Sequence, residues 1–389
     1  MSITSFGSEP GRGGFLTFNS SPPRIYLTST LPAPEKALLA WREEGYDAQF
    51  LPYDPHRQPQ KEYVQALHKL SELCQLGEHY AIIAYGEAAS VVLKTAQKPL
   101  AKCCAIVAFY PTQLPSPKTM YPRSHQLQIH VASLSQASAR PEMCEWKLYR
   151  YEKCATGFLD PSSPAYSEVE ADLAWTRALA SIRKGFGKNV DLEPIANAHW
   201  NARFEDDDPD RAALAVAQNM TQDSPHVTIL PTMEGGVGRK RLAEFYGEFF
   251  VPSLVPDFEI RLISRTMGVN RIVDEMIVSF THSDEVDWIL PGVPPTNKHV
   301  GVAMVSIVAV RGDKLVSEHM YWDQASVLAQ IGLLDPKAVP KKPKNDGLKT
   351  LPVIGAEAAK QLAEPQQSRY NKLLQMHGLM NGMNGMNGD

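Results

Sequence analysis

The rhythm of apolar runs changes once along this chain, and that change limits the folds open to it. Between residues 24 and 187, short apolar runs alternate with amphipathic stretches. Arg24–Thr28, Ala48–Leu51, Tyr80–Ala84, Ala105–Phe109 and Leu127–Val131 read as strands. The segments 34–44, 59–76, the stretch through Val92, and 164–186 read as helices. Strands buried on both faces lose their polar alternation, so the pattern predicts an α/β domain with a parallel, doubly wound sheet. From about residue 196 the order differs. Helices come first, at 210–220 and 239–250, with a short extended piece between them that ends at Pro231. Then follow Phe258–Met267, Arg271–His282, Glu285–Leu290, Val300–Val310 and Lys314–Asp323, and a helix over 324–334. That order predicts α+β, a curved antiparallel sheet folded over helices.

The bulk numbers agree with two domains. At 389 residues and 43% hydrophobic content there is enough chain for two cores. The boundaries expected are a disordered leader over 1–23, an α/β domain over 24–187 and a charged connector over 188–213. The connector overlaps the start of a second domain spanning 196–335, and a flexible tail follows over 336–389. Within the tail, Pro340–Lys344 and the Met-Asn-Gly repeats from Met380 read as flexible, and 352–376 as a helix that docks on a neighbour. A net charge of −4 gives no electrostatic reason to expect nucleic acid or an anionic membrane as partner. No apolar run approaches the ~18–20 residues of a membrane span, and a cytoplasmic location is expected. The cysteines are Cys74, Cys103, Cys104, Cys144 and Cys154, an odd set without a CxxC pair, which reads as buried reduced thiols. With no ligand cluster and no dinucleotide fingerprint, neither a metal nor a cofactor is expected.

The segment Lys314–Asp323 carries the densest ionisable pattern. Alternation puts Ser317, His319, Tyr321 and Asp323 on one face of a strand, beside a neighbour, Val300–Val310, that is almost wholly apolar. Such a face lies at a sheet rim or inside a pocket. Asp323 also stands where an Asp caps a helix starting at Gln324, and the two roles are compatible.

In the first domain, Ala84-Tyr85-Gly86-Glu87-Ala88-Ala89 follows a strand directly, the context of a nucleophile elbow. Residues 24–187 resemble the dienelactone hydrolase family. That family's cysteine position matches Gly86, and its His-Gly-Phe motif matches Thr156-Gly157-Phe158. The segment Leu127–Ser138 holds no acid. The resemblance therefore implies a domain that has lost its nucleophile, base and acid. The competing reading, a surviving esterase, would need Glu87 or the Cys103/Cys104 pair to take over.

Residues 196–335 resemble the SnoaL-like branch of the nuclear-transport-factor-like superfamily. The residues that carry this are Pro231–Gly238, Val273–Met276, Glu285–Pro295 and Glu318–Ser326. The resemblance implies a cone with an apolar cavity for a small apolar substrate, and a homodimer formed through the exposed sheet face. Tyr321-Trp322-Asp323 and Glu285-Val286-Asp287 are similar to the paired acidic segments of limonene epoxide hydrolase. By that likeness Asp287 and Asp323 would face each other as general acid and general base, with His319 sharing a proton. Tyr321, Trp322, Trp288, Glu285, Val227, Ile229, Asp274 and His282 would line the pocket. Val227 and Ile229 replace polar groups that would hold a water, which favours ring closure over hydrolysis. SnoaL-like polyketide cyclases, which close a carbon ring by aldol chemistry, would also match at Asp323. A ligand-binding or dimerisation module without chemistry is the remaining alternative. Gly235, Gly236 and Gly238 lack the Lys-Ser/Thr of a phosphate loop and read as a tight turn into the helix at Arg239.

Overall fold

The structure, a computed structural model, describes residues 22–376 apart from 31, 58, 135–143, 145, 205–207, 340–349 and 365–369. Nearly all of the expected leader, the Lys-Pro segment and the Met-Asn-Gly repeats lie outside the described residues. The chain divides into two compact units, Met1–Asn189 and Val190–Asp389. Among the described residues no helix is long and apolar enough to cross a membrane.

The N-terminal unit is built on six strands: β1 (Arg24–Ser29), β2 (Asp47–Pro52), β3 (Tyr80–Tyr85), β4 (Cys103–Phe109), β5 (Gln126–Ala132) and β6 (Lys147–Tyr151). Their order is β2-β1-β3-β4-β5-β6, and every pairing is parallel. Parallel strands need crossovers, supplied by α1 (Glu35–Glu43), α2 (Gln60–Lys69) and α3 (Gly86–Thr95), with α4 (Glu168–Gly185) closing the unit. β4 is buried at all seven positions, the continuous apolar run expected of a central parallel strand. β6 is absent from the sequence reading. It is an edge strand of Lys147, Leu148, Tyr149, Arg150 and Tyr151, and a run with two cations gives no apolar signal.

The C-terminal unit holds α5 (Glu193–Phe204), α6 (Pro209–Asn219), β7 (His226–Ile229), β8 (Glu234–Val237) and α7 (Arg239–Phe245), the last continued by a π-helical turn over Tyr246–Phe250. Then come β9 (Glu259–Met267), β10 (Arg271–Thr281), β11 (His299–Arg311), β12 (Lys314–Trp322) and α8 (Gln324–Ile331). The sheet order is β8-β7-β12-β11-β10-β9. All pairings are antiparallel except β12 with β7, so the sheet is mixed, where an antiparallel one was expected. Register shifts at Glu275/Met276 and Ala309/Val310 are bulges that bend it. On one face Ile272, Met276, Val278, Phe280, Val300, Val302, Met304 and Met320 join residues of α5, α6 and α7 in a single core.

Two further expectations are corrected here. Glu285–Leu290 is not a strand: Ile289 and Leu290 donate N–H bonds back to Val286 O at 3.0 and 2.7 Å, closing a turn. Val286, Ile289 and Leu290 are all buried, and a helical spacing of three and four satisfies them as well as alternation does. Gly235 and Gly236 lie inside edge strand β8, and only Gly238, with φ of 88°, makes the turn into α7. Within 352–376, α9 (Glu357–Ala363) packs against β10 and β11 of its own unit.

Gly235 has φ of 115°, and a Cβ there would collide with the Val227 carbonyl oxygen across the β7–β8 pair. Gly235→Ala should therefore destabilise the C-terminal unit by about 2 kcal/mol or more, read as a lower urea midpoint of the full chain.

Candidate functional site

In the C-terminal unit the register sets three polar side chains on the inner sheet face. Asp274 of β10 pairs with Ser306 of β11, and Glu318 of β12 pairs with Val308, two residues on from Ser306. All three are buried, Glu318 completely. A carboxylate cannot stay ionised in such a place without partners. Glu318 has four. Arg203 Nη1 donates to Oε1 at 2.7 Å and Ser306 Oγ to the same oxygen at 2.8 Å. His199 Nε2 lies 2.9 Å from Oε2, and Tyr246 Oη donates to that oxygen at 3.5 Å. His199 and Arg203 are four residues apart and so share one face of α5. A second polar anchor holds the same helix. Arg265 of β9 donates to both oxygens of Asp274, at 2.7 and 2.8 Å, and to Asn197 Oδ1 at 2.7 Å.

Burial alone would raise the Glu318 pKa. The Arg203 charge and His199, with hydrogen bonds from His199 and Ser306, outweigh it and hold the carboxyl far below the usual range. Burial and the Arg203 charge lower the His199 pKa against the opposing pull of Glu318, so the imidazole is neutral at neutral pH. An ionised Glu318 only accepts hydrogen bonds, which fixes the His199 tautomer with its proton on Nε2. His199 Nδ1 is then a bare lone pair, buried and without a hydrogen-bond partner among the described residues.

The neighbouring face of α5 opens on a cleft of about 600 Å³. Its lining is Trp200 and Phe204 of α5, Pro209 of α6, Val251–Pro256 apart from Ser253, and Phe258 and Ile260 near and on β9. Every one of these side chains is apolar. The Arg203 guanidinium carbon lies 5.0 Å from the centre of the Phe204 ring, so the buried cluster backs directly onto the cleft wall. Phe258 packs in turn on Trp288, ring centres 5.9 Å apart, and Trp288 meets Trp322 edge-on at 5.8 Å.

Among the described residues no hydrogen bond joins the expected carboxylate pair, Asp287 and Asp323. Asp323 is exposed and caps α8: Oδ1 accepts from Ala325 N–H at 3.0 Å and Oδ2 from Ser326 Oγ at 2.6 Å. Asp287 sits on the turn described above, with no hydrogen bond to Asp323. His319 and the exposed Tyr321 point to the sheet face opposite Glu318 and Met320, where His319 Nε2 meets His226 Nε2 at 3.3 Å. Glu285 is exposed. Val227 and Ile229 face inward into the core, as do Trp288 and, less deeply, Trp322. Asp274 is inward but committed to Arg265, and His282 is buried with Nδ1 3.1 Å from Thr296 Oγ1. None of these residues lines the cleft. The cluster members His199, Arg203, Ser306 and Tyr246 escaped the sequence reading. One signal was available: Glu318 shares its phase with Met320, so this acid falls on the apolar side of its strand.

In the N-terminal unit, Gly86 is the first residue of α3 and has φ of 58°, a sharp strand-to-helix junction of the elbow kind. A Cβ there would meet nothing within 4 Å. Thr156 is exposed on the turn after β6. Burial pushes the Cys104 thiol up to about 12 and raises that of Cys103 as well, which keeps both as thiols at neutral pH.

No family model matches the chain, and no curated protein matches it. Solved structures are similar to its C-terminal part. One, from Jannaschia sp. and provisionally named a SnoaL-like polyketide cyclase, is 14% identical, covers 38% of this chain and 99% of its own, and has a TM-score of 0.32. IdmH from Streptomyces antibioticus, a provisional polyketide cyclase, is 16% identical over 37% of this chain and 99% of its own, with a TM-score of 0.29. A protein of ketosteroid isomerase-like fold from Catenulispora acidiphila is 18% identical over 38% and 97%, with a TM-score of 0.28. The fold of the unit is read from its own strand order, and the activities in those names belong to those proteins.

The buried cluster has two measurable consequences. Glu318→Gln would leave the Arg203 charge buried and unpaired, and should cost about 3–5 kcal/mol in urea denaturation. The folded-state pKa of His199 lies below its ordinary 6.5 and that of Glu318 below 4.5, so on acidification the unfolded chain takes up protons that the native chain refuses. Stability should be greatest above about pH 6.5 and fall as pH drops, first through the His199 window and then through that of Glu318. His199→Gln should flatten the first fall and leave the second.

Proposed function

We propose that the C-terminal unit binds a small, uncharged, largely apolar molecule in the Trp200–Phe258 cleft and moves a proton on it with His199, as a cyclase-type acid/base enzyme. The observation that carries this reading is the buried Glu318–His199 pair, whose Nδ1 has no hydrogen-bond partner among the described residues, on the helix whose Trp200 and Phe204 line the cleft. A carboxylate on one imidazole nitrogen orients the ring and stabilises the imidazolium that forms when the other nitrogen takes a proton. Burial keeps the ring neutral and able to accept that proton at neutral pH. Carbon-ring closure by an aldol-type step begins with such a transfer, from a carbon acidified by a carbonyl.

Epoxide opening is the weaker reading. It calls for a second acid, and no ionisable side chain lines the cleft. Asp323 caps α8 with both of its carboxylate oxygens, and neither Asp287 nor Asp323 lines the cleft. A second reading, binding without chemistry, is favoured by that same lining, which offers a ligand apolar contact and no charge.

The test uses full-length protein and an aromatic β-diketone as a carbon-acid probe. Binding is followed by quenching of tryptophan fluorescence, and proton abstraction by NMR-detected deuterium exchange at the activated carbon. Trp200→Ala should weaken binding at least tenfold. His199→Asn should leave binding within about threefold and lower exchange by roughly two orders of magnitude, the usual worth of a positioned base. Binding that survives without any catalysed exchange in the wild type would sink the enzyme reading and leave the binding one. Unchanged binding in Trp200→Ala would remove the cleft.

A further inference from the structure

The outer face of the C-terminal sheet carries a pair of histidines that the reading above does not use. β7 and β12 run parallel, with His226 opposite Ser317 and Thr228 opposite His319. His226 and His319 are therefore diagonal neighbours on one face, the face opposite Val227, Glu318 and Met320. Both are partly buried, with ring centres 5.4 Å apart and planes at 40°. The two Nε2 atoms converge to 3.3 Å.

Two imidazole nitrogens at that separation have two uses. One ring's N–H can donate to the other's lone pair, or both lone pairs can turn to a single cation. Zinc–imidazole bonds of about 2.0–2.1 Å at a tetrahedral angle put the two nitrogens about 3.3–3.4 Å apart. The pair is already at that distance, and each ring is held by a strand and not by a loop. Ligation also requires neutral imidazoles. Burial, His226 and the Arg271 charge lower the pKa of His319 against the opposing effect of Glu318, so the ring is neutral at neutral pH.

We propose that His226 and His319 form a two-nitrogen site for a borderline transition-metal dication, zinc, nickel or copper, on the outer face of the β7–β12 pair. These are the metals that imidazole suits. Among the described residues no third His, Cys, Asp or Glu completes a ligand group, so water or a second copy of this face supplies the remaining positions. Arg271 opposes a dication as it opposes a proton, which makes the site a weak one by the standard of four-ligand zinc centres.

The experiment is a zinc titration of chelator-treated full-length protein, by calorimetry and by competition with a chromophoric chelator. The comparison is with His226→Gln, His319→Gln and the double variant. Circular dichroism checks that each variant is folded, which a change on this partly exposed face should permit. The wild type is expected to bind at least tenfold more tightly than either single variant, and the double variant to lose the site. One zinc per chain and one zinc per two chains both support the proposal, the first with water completing the shell and the second with a partner copy. Wild-type affinity no greater than that of the folded double variant would overturn it.

Discussion

One buried carboxylate organises the C-terminal unit. Glu318 sits in the apolar phase of β12, and a charge there is tolerable only because α5 delivers Arg203 and His199 while β11 delivers Ser306. The interaction works in both directions. The sheet keeps Glu318 ionised through the helix, and the helix is held against the sheet through Glu318. Arg265 and Asp274 repeat the device further along the same helix. An amphipathic helix packed by apolar contact alone is free to slide and rotate by small steps. Two charged anchors remove that freedom, and α5 is the helix that sets the position of Trp200 and Phe204.

This explains why the cleft has a charge-free surface and a charged backing. Groups that fix the wall need not be part of the wall. Arg203 lies behind Phe204, and Phe258 leans on Trp288, which leans on Trp322. The cleft wall is largely aromatic and proline surface whose placement is decided one layer deeper. The ion pairs contribute orientation more than stability, since burying two charges costs about as much as their attraction returns.

Much of the fold was legible in the residues, and most of the candidate site was not. Continuous apolar runs such as Tyr80–Tyr85 and Cys103–Phe109 belong to parallel strands and to little else, so the α/β unit could be read directly. Burial alternates strictly along β10 and along most of β11, and the ends of both strands fell within two residues of the expected ones. Lys147–Tyr151 was missed because an edge strand has no need of apolar continuity. The site failed for a related reason. Ionisable residues in the polar phase, His319 and Tyr321, drew attention because they are conspicuous, yet that phase points away from the core. Glu318 was one residue away and in the quieter phase. Two of its partners, His199 and Arg203, lie more than 100 residues earlier, in a segment read as a connector, and no local pattern announces a contact of that span.

At Gly86 the chain turns directly from β3 into α3. Held at φ of 58°, an L-residue would sit in a left-handed conformation that costs roughly 1–2 kcal/mol. Glycine adopts it freely, and the open space above it is filled by nothing. Any other residue at this junction would carry that cost into every folded copy of the unit, so the tight strand-to-helix turn depends on glycine for its backbone and not for the space around it.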